Sequence, residues 1–413
     1  MTTNLRRRLL PLYTAAGLQG FMLWTPVEKL FMNEIGFDAA TVGIMAAAYA
    51  ALIPLVEVPS GMLADRWSRR GVLMLANAAL VVSVLIGGLS HSVVVYIIGA
   101  LGLGVYFAMY TGTTDAIVYD TVLEETGSSD LFERQLGRAR LVESVALVAS
   151  SLAGGALAAQ LGTRATYFLS LPFAVLAILV LTRFREPRLH RTTERTPLRA
   201  HVAVTFRTVA SRGRLLPVVL LAVLTALVMS VLFEFGPLWL VALAAEPVVY
   251  GPFWAAMVAT LGIGGLIAGR LRLDRPTALA AVIATMTISS VVLTTTRNLF
   301  AVAVAQVIVM LLTVALGIHV ARLLHDAVPS TVRTGVASGV SAFSWLAFLP
   351  FALVFGLVSD TLGVHPAGWM IVGVTVLTAA LLTREALAHR RGAASVETAT
   401  APPAGAAHLE LAA

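Results

Sequence analysis

Residues 41–90, TVGIMAAAYAALIPLVEVPSGMLADRWSRRGVLMLANAALVVSVLIGGLS, hold two apolar stretches, Thr41–Leu63 and Val72–Ser90, separated by one short burst of charge. Asp65, Arg66, Arg69 and Arg70 fall within six positions of a chain in which only 12% of residues are charged. Each flanking run is close to the ~20 residues an α-helix needs to cross ~30 Å of hydrocarbon. The stretch therefore reads as helix, charged turn, helix across a membrane.

Working outward, the same kind of run recurs at Leu9–Val27, Val93–Thr114, Leu141–Ala159, Thr166–Thr182, Leu215–Phe233, Pro252–Gly269, Thr277–Thr294, Leu299–Ile318, Val336–Val358 and Ala367–Leu382, which makes twelve spans. With 58% hydrophobic residues and a mean hydropathy of +0.87, the chain lies well outside the composition of soluble domains. Barrel strands would alternate over about ten residues, whereas these runs are continuously apolar, so the fold class is all-α integral membrane.

Basic residues set the orientation. With the N-terminus cytoplasmic, 26 of the 29 basic residues fall on the inner side, leaving Lys29, Arg164 and Arg297 outside. The net charge of +7 then signals orientation and attraction to anionic headgroups, and a nucleic-acid partner is excluded. "NLRRR" followed by the first run lacks a small-residue cleavage site, so a retained first helix is expected rather than a signal peptide. Without cysteine there is no disulfide, thiol nucleophile or thiolate metal site. The strong bias to arginine over lysine fits a GC-rich bacterial genome, and a multi-pass protein of the plasma membrane with both termini cytoplasmic is the expectation.

The longest internal polar stretch, residues 183–214 with nine arginines, separates six spans (1–182) from six more (215–391). A surface helix at 201–209 fits its pattern. The tail, residues 392–413, is small and polar and reads as disordered. "GLIAGRLRLDR", from Gly265, repeats the form of "GMLADRWSRR", from Gly61, at an offset of 204 residues. Two repeated halves suggest alternating access around a site near the midplane.

Gly61, Leu63, Ala64, Asp65, Arg66, Arg69 and Arg70 match the signature G-x-L-A-D-R-x-G-R-R, and on these residues the chain resembles the major facilitator superfamily. The resemblance implies twelve helices in two pseudo-symmetric six-helix bundles. It also implies a gate in which Gly61 permits close packing, Asp65 faces the start of the eleventh helix near Thr334, and Arg66, Arg69 and Arg70 anchor at headgroups. "EVPSG" (57–61) and "YTGTTDAIVYD" (110–120) resemble a bacterial branch rich in drug and metabolite exporters. Two departures stand out: Ser68 replaces a glycine, which questions the turn, and Gly269 stands where the second copy would carry an aspartate. The fifth span lacks the family's glycine–proline antiporter pattern.

Ionisable groups inside spans are functional candidates by default. Glu28 and Glu234 each lie 19 residues into their spans, about 28 Å from the inner end at ~1.5 Å per residue. The resemblance brings them toward one outer gate, where like charges favour a shared proton. The alternative places Glu28 in headgroup water beside Lys29. Glu57 lies about 9 Å deep on the inner side. Asp115 and Tyr119 share a helix face, with Asp120 pointing elsewhere toward water. No lysine or arginine lies in a span core, although Arg138 or Arg140 is near enough in sequence to be a partner for these carboxylates. Glu143 and His319 read as helix-end residues favoured by the dipole.

The resulting expectation is a secondary transporter for a small molecule, proton-coupled and exporting a cationic or neutral amphiphile. An anionic substrate would call for a buried arginine. The partners expected are substrate, protons and lipid, with no cofactor or metal, and the protein acting as a monomer. Catalysis is not expected, because no G-x-x-x-x-G-K-[ST], H-E-x-x-H or G-x-S-x-G occurs. Nutrient symport and a non-transporting receptor are the alternatives.

Overall fold

The computed structural model describes residues 3–128, 130–187, 215–268, 270–271, 273, 275–327 and 333–400, and among these there are helices and turns but no strand. The helices are α1 (Thr3–Gln19), α2 (Glu28–Glu34), α3 (Ala39–Arg66), α4 (Arg69–Leu89), α5 (Val93–Thr126), α6 (Phe132–Leu161) and α7 (Thr163–Thr182) in the first half. The second half has α8 (Leu216–Ala242), α9 (Pro247–Ala268), α10 (Pro276–Thr295), α11 (Leu299–Ala327), α12 (Arg333–Leu362) and α13 (Val364–Thr400). α3 to α13 are the eleven described helices long and apolar enough to cross a bilayer.

The twelfth span is the first one, and it is broken. The sequence predicts one continuous run over Leu9–Val27, yet α1 stops at Gln19 and the chain turns through a 3-10 segment at Thr25–Val27 before α2. Gly20 sits so close to α6 that a methyl group on it would lie 2.5 Å from the Glu143 carbonyl oxygen. Interrupting a helix inside a membrane leaves backbone groups that need partners. Ser150 Oγ donates to the Gly20 carbonyl at 2.9 Å, and the Leu23 N–H donates to Ser170 Oγ at 3.0 Å. The break turns Glu28 and Lys29 toward the second half.

Two inter-half seams close one end of the molecule. α3 crosses α12 where Gly43 meets Gly356, and α6 crosses α9 where Gly155 meets Gly251. A methyl group on Gly43 would approach the Ala352 carbonyl oxygen to 2.6 Å, and one on Gly155 would approach the Gly251 nitrogen to 2.6 Å, so backbone touches backbone. At the arginine-rich end, by contrast, Gly61, Gly112, Gly137 and Gly317 face open space. The apolar core follows the same division. One cluster joins Trp24, Phe31 and Tyr167 of the first half to Phe235, Trp239 and Phe355 of the second. A separate cluster around Val218, Leu279 and Val320 belongs to the second half alone. Among the described residues the close approaches between the halves thus gather at the end opposite the arginines.

α13 runs through Thr400, so residues 392–400, expected to be disordered, are helical; alanine is a strong helix former, and Pro402–Pro403 follow. The surface helix predicted at 201–209 lies outside the described residues.

Asp38 caps α3: it accepts the Thr41 N–H at 2.7 Å, and Thr41 Oγ1 accepts the Asp38 N–H at 3.0 Å. These bonds hold the carboxyl below its usual range. A depressed pKa gives stability that is present above the ordinary carboxylate value and lost as pH falls through the folded value. Asp38→Ala is expected to cost about 1 kcal/mol near neutral pH, a difference that shrinks in acid; thermal unfolding in detergent at pH 7 and pH 3 measures it.

Candidate functional site

At the closed end the break in the first span brings three ionisable groups into one joint. Lys29 Nζ lies 2.5 Å from Glu234 Oε1 on α8 and 3.4 Å from Glu28 Oε2. The Lys29 side chain is 2% exposed, against 17% for Glu28 and 25% for Glu234. Glu28 also accepts the Tyr96 hydroxyl at 3.0 Å, and the Tyr96 and Tyr167 hydroxyls are 2.7 Å apart. Trp24 stacks on Tyr167 at 5.2 Å, so aromatic walls keep the joint dry on the first-half side. Two carboxylates thus share one ammonium across the seam between the halves. What the sequence reading missed is the burial: Lys29, expected beside headgroup water, is enclosed between the two carboxylates, because the helix break redirects it toward the second half.

A second group of the same composition lies nearer the open end. Arg140 bonds Asp115 at 2.9 Å and Glu143 at 3.5 Å. Asp115 and Arg140 are 48% and 41% exposed, so this cluster is reachable from the open end. Tyr110 is buried and stacked on Tyr106 at 5.3 Å. Glu143 does not lie near a helix start, because α6 begins eleven residues earlier at Phe132. Tyr119 stays apart from the group, exposed with its ring edge-on to Phe132 at 5.3 Å. Glu57 is exposed, and its carboxylate makes no hydrogen bond or ion pair among the described residues.

The charged turn after α3 is held by the protein rather than by headgroups alone. Arg69 pairs with Asp120 and donates to the Ala116 carbonyl at 3.1 Å. Asp120 is therefore buried and bonded, not turned to water. Arg70 donates to the carbonyls of Thr182 and Phe184 at 3.3 and 3.2 Å. Arg66 is exposed. Ser68 adopts extended backbone (φ −169°), so the turn has no need of glycine; its Oγ caps α4 by accepting the Gly71 N–H at 2.8 Å. Glu186, which no sequence pattern singles out, accepts from Ser68 Oγ at 2.6 Å and from the Arg69 N–H at 2.5 Å, where a carboxylate complements the positive end of α4. Gly61 touches nothing that a methyl would disturb. The side chains of Asp65 and Thr334 lie outside the described residues.

Comparison with known proteins agrees with this architecture. The probable nitrate transporter NarT of Staphylococcus aureus (strain Newman) is 24% identical over 111 residues, which is 27% of this chain; the match spans only 28% of that protein's length. Among solved structures, a mutant of the nucleoside transporter NupG superposes with a TM-score of 0.76 at 11% identity, covering 91% of this chain and 99% of that one. A bacterial homologue of the human lysosomal transporter Spinster, in an inward-facing and unoccupied conformation, superposes with a TM-score of 0.74 at 16% identity, covering 94% and 98%. The family model for the Major Facilitator Superfamily matches residues 9–340. The chain is a multi-pass membrane transporter and belongs to the Major Facilitator Superfamily.

Proposed function

We propose that the protein is a proton-coupled exporter of a cationic or neutral amphiphilic small molecule, working by alternating access in the plasma membrane of a bacterium. The halves 1–182 and 215–391 move as bodies about the linker 183–214, both termini lie in the cytoplasm, and the arginine-rich open end faces inward. The likeness to an inward-facing Spinster homologue supports that orientation of the opening.

The observation that carries the reading is Lys29 seated between Glu28 and Glu234 across the seam. Opening the outer end parts Glu234 from its ammonium and closing the end returns it, so the ion pair is made and broken with the change of state that transport requires. The excess of acid over base at Asp115, Arg140 and Glu143 favours a cation in the open cleft, because Arg140 is already flanked by two carboxylates.

The test is reconstitution in liposomes holding a pH-sensitive dye, with tetraphenylphosphonium as the cationic probe. Probe-driven proton movement in the opposite direction is expected, reduced at least tenfold in Glu234→Gln and Asp115→Asn. Proton movement with the probe would make the protein a symporter, and probe binding without flux would make it a receptor.

A further inference from the structure

α10 and α13 pack on one another, and their other main contacts are with α8, α11 and α12 of the same half. Neither takes part in the seams that α3 makes with α12 and α6 with α9. Ile288 of α10 and Val376 and Leu377 of α13 are exposed, so the two helices contribute to the apolar surface that meets lipid. At the arginine-rich end a groove of about 130 Å³ opens between them. Leu279, Ala280 and Ile283 line it from α10, and Thr383, Ala386 and Leu387 from α13; no ionisable side chain does. Thr383 Oγ1 is already engaged with the Ala379 carbonyl at 2.8 Å, so the slot is apolar in effect.

The rim of the slot is cationic. Arg275 directly precedes Pro276, the first residue of α10 and itself part of the lining, and Arg384 follows Thr383. Both arginines are exposed, and neither guanidinium makes a hydrogen bond or ion pair among the described residues. At roughly 100° per residue, Thr383, Ala386 and Leu387 share one face of α13 with Arg384 at its border, whereas Glu385 falls on the opposite face. The turn before α10, residues 270–275, carries three arginines against the single Asp274. The Arg275 side chain does not cap α10, so the positive end of that helix adds to the attraction for an anion.

An apolar slot that ends in two unpaired guanidinium groups complements a molecule with an apolar chain and a negative head. Lipid tails are as apolar as the slot, so filling it gains little by itself, and the head decides what stays. A phosphodiester accepts from both arginines. The ammonium of a zwitterionic head would meet the same two cations and be repelled.

We infer that the groove between the inner ends of α10 and α13 holds one anionic phospholipid of the cytoplasmic leaflet. An acyl chain lies along Ala280 and Ala386, and the phosphate sits between Arg275 and Arg384. This molecule is resident lipid and not cargo, because neither helix borders a seam between the halves. The choice of leaflet rests on the inward orientation proposed above; the choice of headgroup does not.

Native mass spectrometry of the delipidated full chain, titrated with dioleoylphosphatidylglycerol or dioleoylphosphatidylcholine, is the test. The first phosphatidylglycerol is expected to bind about tenfold more tightly than the first phosphatidylcholine. Arg275→Gln with Arg384→Gln is expected to erase that preference. Arg6→Gln with Arg7→Gln, which removes the same charge from exposed positions of α1, is expected to keep it. Ala280→Phe, which fills the groove, is expected to erase it with both arginines in place, and its melting temperature checks that it is folded. No preference in the parent chain, equal loss in both arginine pairs, or phosphatidylglycerol binding that survives Ala280→Phe or yields to inorganic phosphate would overturn the assignment. Thr277→Cys, exposed at the start of α10, tests the leaflet. It is expected to resist a membrane-impermeant maleimide in intact cells until they are permeabilised; earlier labelling would put the groove in the other leaflet. Because lipid binding is read in detergent without substrate or gradient, failure of the exporter reading leaves it unchanged.

Discussion

Glu234→Lys is expected to open the closed end of the transporter. The substitution sets a second ammonium beside Lys29, now 2.5 Å from the Glu234 oxygen, with Glu28 as the one remaining carboxylate. Breaking a buried ion pair by changing one partner costs about 3–5 kcal/mol. Placed on the equilibrium between closed and open forms of this end, that is roughly a 10²- to 4 × 10³-fold shift in population. Lys29→Glu combined with Glu234→Lys restores one cation among two carboxylates and is expected to recover the closed state. The chain has no cysteine, so spin labels at Ala40→Cys on α3 and Thr361→Cys on α12 report the closed end without background. The parent and the double reversal should give the short distance, and Glu234→Lys alone the long one. A short distance in Glu234→Lys would show that the triad locks nothing.

The fold could be read from the sequence because it follows from amount and order: twelve apolar runs, a basic residue bias and a charged turn need no tertiary knowledge. The joint could be read only in part. Equal depth of Glu28 and Glu234 pointed to one level of the membrane, but the cation between them was hidden by the assumption that Leu9–Val27 is one straight helix. The serines that hold the break, Ser150 and Ser170, lie on two other spans, and no local pattern announces them. One signal was available, since Lys29 is the sole lysine of the chain and directly follows Glu28. Glu186 and Asp120 were hidden for the same reason. Their partners Ser68 and Arg69 are brought to them by the packing of α4 against α5 and α7, a long-range fact. At Ser68 the family pattern misled, because an extended residue with a capping hydroxyl solves the same turn that a glycine would.

Gly356→Leu is expected to remove transport by at least 10²-fold, and by a route that charge reversal cannot repair. Where α3 crosses α12, a methyl group on Gly356 would lie 2.7 Å from the Ala39 carbonyl oxygen and 2.8 Å from Gly43 Cα. These are backbone atoms of a helix, which cannot turn aside as a side chain can, so α12 must retreat and the seam must part. Overpacking of a close contact ordinarily costs about 1–3 kcal/mol where neighbours can yield, and here the yielding body is a whole half of the molecule. The labels at Ala40→Cys and Thr361→Cys should therefore move apart as in Glu234→Lys, and Lys29→Glu with Glu234→Lys should not bring them back. Gly61→Leu provides the contrast at the other end of α3, since nothing lies within 4 Å of the place its Cβ would take; it is expected to leave the short distance intact. If Gly356→Leu keeps both the short distance and its transport, the seam is not a moving joint, and the difference between tight glycines at one end and open ones at the other loses its mechanical meaning.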